Sequence, residues 1–128
     1  MGILKYKDLP KWLDKIIYTD FKAIFEPHPQ EVVYNPDQPY EFVRIYLGTY
    51  FPRSYAEAFC IVNNLLENSN YLSSIYALEE VNILDFCCGT GGEIIGLIDI
   101  LQSKLPILRE LILMLLMPIL KQSVFCII

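Results

Sequence analysis

Asp85, Cys87, Cys88, Gly89, Thr90, Gly91, Gly92 and Glu93 bring the clearest chemistry of the chain into one short stretch. A carboxylate closes a mostly apolar run, Val81-Asn82-Ile83-Leu84, and glycines follow at once. The next residues, Glu93-Ile94-Ile95-Gly96-Leu97-Ile98-Asp99-Ile100-Leu101, read as a helix. Strand, tight turn and helix in that order open a nucleotide-binding α/β fold. Asp85 then stands at the carboxyl end of the strand, where open α/β sheets bind their ligands. Gly89 and Gly91 have no side chain, so the backbone there can approach a ligand and turn sharply into the helix. Glu93 falls in the first helical turn, where the helix dipole favours an acid. A solvated helix-start acid is the plainer account of Glu93. A P-loop is excluded, because no Gly-Lys-Ser/Thr follows the glycines.

The phrase of hydrophobics followed by D-x-C-C-G-T-G-G resembles motif I of the class I S-adenosylmethionine-dependent methyltransferases. The resemblance is specific over about Val81 to Leu101. It implies a Rossmann-like fold, S-adenosylmethionine as cofactor, and methyl transfer to an acceptor that the sequence does not identify. By the same resemblance Asp85 helps to hold the amino-acid end of the cofactor. Gly89 and Gly91 match the later glycines of the family's G-x-G-x-G, and Thr90 and Gly92 complete the turn. Cys87 stands where the family has its first glycine, so a side chain enters a crowded turn. The cofactor-binding set implied is therefore Asp85, Cys87, Gly89, Thr90 and Gly91. No residue is assigned to catalysis, since such an enzyme mainly positions two reactants.

The elements that must position this unit lie before it. Trp12, Ile16 and Ile17 follow Pro10 near helical spacing, so a short helix is expected there. Pro27, Pro29, Pro36 and Pro39 punctuate a loop. Phe42, Val43, Tyr46 and Leu47 suggest a helix over Tyr40 to Tyr50, ended by Pro52. A second helix is expected from Ser54, whose S-x-x-E spacing to Glu57 is that of a capping box. Tyr55, Phe59, Val62, Leu65 and Leu66 form its apolar stripe. One or two further turns are expected over Tyr71 to Leu78. The strand is expected at Asn82 to Phe86 and its helix from about Gly92 to Gln102. Tyr50, Arg53 and Tyr55 could line a substrate cleft, though such residues are more often packing and surface. His28 is read as a loop residue.

Composition bounds the rest. One domain of ordinary size is expected from 128 residues. The net charge of −5 argues against unaided nucleic-acid binding, which relies on Lys and Arg, but not against a cationic sulfonium. The four cysteines, Cys60, Cys87, Cys88 and Cys126, have no paired C-x-x-C spacing, so no metal site is expected. The thiols are read as reduced and the compartment as cytoplasmic. Lys5, Lys7 and Asp8 interrupt any signal peptide. Leu111 to Leu120 is too short for a membrane span, which needs roughly 20 residues.

The last quarter breaks the pattern. After motif I the family has a strand ending in a second acid, which binds the ribose. Here no acid follows Glu110. A frame displaced by one base permits Ile-Asp-Ala-Ile-Asp-Ala-Asn in this stretch, which resembles that second strand. A native hydrophobic helix that docks on the core or on a partner is the alternative. The fold expected is α/β: a helical N-terminal extension (1–80), the first βα unit of an incomplete Rossmann-like methyltransferase domain (81–110), and a hydrophobic tail (111–128) that is out of frame on the first view. Leu and Met favour helix, so Leu111 to Leu120 is expected to be helical or poorly ordered and to self-associate. On this reading the chain is a truncated methyltransferase, inactive alone. The alternative is a non-catalytic interaction module, or one part of a split methyltransferase that docks on a partner chain.

Overall fold

The computed structural model describes residues 8–78, 80–86, 88–105, 110–119 and 122–127. Helix predominates among the described residues, and strands follow it in the last third of the chain. A short helix α1 (Lys11–Asp14) runs on into a wider π turn, Lys15–Asp20. A single 3-10 turn, Pro29–Glu31, interrupts the following loop. Then come α2 (Pro39–Leu66), α3 (Ser69–Tyr76), β1 (Glu80–Phe86), α4 (Gly92–Lys104), β2 (Glu110–Ile119) and β3 (Gln122–Ile127). The expected strand and its helix are both present, each a residue or two longer than the pattern indicated. In the first helix Leu13 and Ile17 face inward, whereas Trp12 lies on the exposed side.

α2 corrects the expectation of two helices. It is continuous over 28 residues and passes through Pro52. A proline inside a helix removes the amide that would bond the carbonyl one turn back, which is Gly48 O. That carbonyl accepts instead from the Tyr18 hydroxyl at 2.6 Å. The segment carrying Tyr18 is itself bound along α2. Arg44 Nε donates to Lys22 O at 2.6 Å, and Ile24 N donates to Arg44 O at 3.0 Å. Glu26 N donates to Thr49 Oγ1 at 3.0 Å. A Cβ at Gly48 would collide with the Ile24 backbone, so glycine is what lets this strap lie on the helix. The Ser54 capping box does not form, because Ser54 is mid-helix. Glu57 pairs with Arg53 one turn earlier, at 2.9 Å. The real cap follows α2: Asn68 Oδ1 accepts from Asn70 N and Tyr71 N and so starts α3.

α4 packs closely on α2. Added Cβ atoms at Gly92 and Gly96 would overlap the carbonyl oxygens of Phe51 and Tyr55 respectively. Two apolar clusters flank this crossing. Leu13, Ile17, Ala23, Phe51 and Tyr55 form one, with Leu9, Leu47 and Ile95 against it. Leu66, Ile100, Leu101 and Leu105 form the other, with Val62, Leu72, Ile75 and Ile83 against it. Phe59 packs against both. Of the expected stripe on α2, Leu65 is largely exposed and lies outside both clusters.

The strands form one sheet in the order β1-β2-β3. β1 and β2 are parallel, with Glu80 opposite Glu110 and Phe86 opposite Leu116. β2 and β3 are antiparallel. This corrects the expectation that the stretch after Glu110 is helical or poorly ordered: residues 110–119 are extended. Helix propensity is a weak term beside the ladder that β1 offers, and β-propensity depends strongly on context. Pro118, which has no amide to give, sits near the end of β2, beyond its pairing with β1, and faces Ser123. Leu120 lies outside the described residues. No helix of the described residues is long and apolar enough to cross a membrane.

Candidate functional site

The turn between β1 and α4 is built by conformation. Gly91 N donates to Cys88 O at 2.7 Å, closing a four-residue turn. Gly89 has φ +51° and Gly91 φ +80°, both in the region that L side chains avoid. Gly91 is the residue from which α4 starts, and Ile95 N donates back to its carbonyl at 3.2 Å. An added Cβ at Gly91 would meet no described atom within 4 Å, so the backbone here is open on its outer side. Thr90 is half-buried and Cys88 buried in the turn. Cys87 lies outside the described residues.

Strand alternation turns Val81, Ile83 and Asp85 toward the helices and Asn82 and Leu84 to the other face. Exposure follows this alternation: the first three are partly buried and the other two exposed. Asp85 Oδ2 is fully buried and has no hydrogen-bond partner among the described residues. Burial alone pushes the Asp85 carboxyl above its ordinary range, since nothing described beside it stabilises the charged form.

Asp85 borders a cleft of about 380 Å³ between three elements. β1 supplies Ile83 to Asp85, α2 supplies Glu57, Ile61 and Val62, and α4 supplies Glu93, Ile94 and Leu97. The walls are mostly aliphatic and the polar groups are carboxylates. Such a cleft suits a ligand with an apolar body and a positive charge or hydrogen-bond donors. Among the described residues no group of three His, Cys, Asp or Glu side chains is placed to hold a metal ion.

Of the residues singled out in the sequence, Asp85 and Glu93 line this cleft, and Gly89, Thr90 and Gly91 form the turn beside it. Tyr50 and Arg53 do not reach it; they border a separate cavity on α2. Tyr55 lines neither. It is fully buried and its hydroxyl donates to Asp99 Oδ2. Burial first, and then that bond, hold the Tyr55 hydroxyl far above its ordinary pKa. His28 is an exposed loop residue. Sequence reasoning missed Glu57 as a cleft residue, having read it as half of a cap. It also missed Gly96, although the spacing Gly92-x-x-x-Gly96 is a readable sign of close helix packing. Compared with models of protein families, with curated proteins and with solved structures, the chain matches none of them.

Proposed function

We propose that residues 80–104 are the cofactor-holding unit of an S-adenosylmethionine-dependent methyltransferase, built on the first βα unit of a Rossmann-like fold. The observation that carries this reading is the orphaned Asp85 oxygen at the carboxyl end of β1. A buried carboxylate with no partner is costly unless a ligand supplies a donor. The amino group of the cofactor is such a donor. Gly91 leaves the backbone open beside it, and Ile61, Ile94 and Leu97 give an apolar wall. Asp85 and Glu93 together favour a cationic guest, whereas Glu57 is paired with Arg53. The cofactor, when bound, contributes a methyl group on a positively charged sulfur.

One departure limits affinity. The family's second acid ends its second strand, whereas β2 carries its acid, Glu110, at the start. The chain alone is therefore expected to bind S-adenosylmethionine no more tightly than about 1 mM and to transfer no measurable methyl group. Titration of the full chain with S-adenosylmethionine, followed by NMR, tests this. Millimolar binding that is lost in Asp85→Asn supports the reading. Binding indifferent to Asp85→Asn, or none at all, sinks it, and micromolar binding refutes the argument from the missing acid.

A second reading is a non-catalytic interaction module, or one part of a split methyltransferase. Leu84 favours it, being an apolar strand residue that is 64% exposed. Light scattering with and without residues 111–128 tests the self-association this implies.

A further inference from the structure

A second cavity, of about 600 Å³, lies between the loop 25–30 and the side of α2 that carries Thr49, Tyr50, Arg53 and Cys60. We propose that it binds an alkyl amine, such as a lysine side chain of a substrate or partner. The inference does not depend on the methyl-transfer reading, although Glu57 borders both cavities. The volume is that of a small-ligand pocket. Its loop wall is held in place, since Glu26 N donates to Thr49 Oγ1 and His28 N to Glu26 Oε1, each at 3.0 Å. Three aromatic residues, Tyr18, Phe25 and Tyr50, border it together with Pro27, Pro29 and Pro52. Phe25 is 63% exposed although apolar, and so is available to a guest.

The charges select the sign of the guest. Two carboxylates, Glu26 and Glu57, face one cation, Arg53. Arg53 is already held by Glu57 at 2.9 Å, and both side chains are more than half exposed. An exposed pair of this kind is weak and exchangeable. An ammonium can take the place of Arg53 at Glu57 while its alkyl stem lies along the prolines. Aromatic faces add a cation–π attraction. An anion would meet both carboxylates and find Arg53, the one basic group among the described lining residues, occupied.

The test is ¹H–¹⁵N NMR of the full chain at fixed ionic strength, with 1,5-diaminopentane as probe and glutarate as its anionic counterpart of equal length. The diamine should give saturable shifts at the amides of Gln30, Thr49 and Cys60, and glutarate none. Phe25→Ala with Glu26→Gln should weaken the diamine by about five-fold or more. Arg53→Ala removes the competing cation and should tighten it. Because Arg53 is exposed, this variant decides the matter even if the double variant fails to fold. Unsaturable shifts, saturation by glutarate, a double variant that binds as well as the parent, or weaker binding in Arg53→Ala would each overturn the proposal.

Discussion

Gly89 and Gly91 differ from Gly92 and Gly96 in why each must be glycine. The first pair is set by dihedral angle, with positive φ at both positions, and space beyond Gly91 is open. The second pair is helical, and each is pressed against a carbonyl of α2. One short segment therefore contains a surface that a ligand could approach and a seam that admits nothing. The family resemblance treats the run as a cofactor turn. Its downstream half is equally a helix-packing device, fixing α4 against α2 and so setting the width of the cleft between them. A glycine pattern thus constrains the fold and the candidate site through different physics at adjacent positions.

The contrast can be broken experimentally, and the largest effect belongs to the seam. Gly96→Val should destabilise the chain by about 3 kcal/mol or more, because backbone rather than a flexible side chain blocks the new atoms. Urea denaturation followed by circular dichroism measures this, and a loss under 1 kcal/mol would mean that the helices can part freely. Next comes the platform that carries the seam. Tyr18→Phe strands the Gly48 carbonyl and should cost about 2 kcal/mol. The loss should shrink when Pro52→Ala is added, since alanine restores the helical donor. A double-mutant cycle with no coupling would refute the role assigned to Tyr18.

Effects at the turn should be smaller. Gly91→Ala is expected to cost about 1 kcal/mol, from backbone strain alone. Asparagine at the same position should be milder, because it tolerates left-handed geometry better. Equal losses for Gly91→Ala and Gly96→Val would erase the distinction between the pairs. The smallest effect is that of Asp85→Asn. The folded pKa of Asp85 is raised, so the folded state binds its proton more tightly than the unfolded state does. Its charge then opposes folding as pH rises from the ordinary carboxylate pKa through the raised one, and fully above it. Asp85→Asn should remove that part of the pH dependence and leave the chain no less stable at neutral pH. Loss of stability there would show that Asp85 has a favourable partner.

What the sequence revealed follows the range of the forces involved. The strand, turn and helix from Glu80 to Lys104 were legible because apolar runs, glycine dihedrals and a helix start are local. The continuity of α2 was not, since the group that relieves Pro52 is the Tyr18 hydroxyl, 30 residues before the carbonyl it caps. Nor was β2, whose Leu- and Met-rich residues lie in ladders with β1 and β3 that their own propensity does not signal. Of the candidate site, Asp85 was legible from its place at a strand end. Glu57 was not, because its nearest sequence pattern suggested a cap.

Phe59 gives the two apolar clusters a common member. Cooperative opening usually follows contiguous packing, and a side chain shared by two clusters makes the loss of either costly to the other. Slow amide exchange in α2 and α4 should therefore be lost together with that of α1 and its π turn, in a single event. In such a molecule the helical region before β1 is no detachable appendage. Its hydrogen-exchange protection and that of the strand–turn–helix unit would report one unfolding reaction, and Phe59→Ala is the change that would divide it into two.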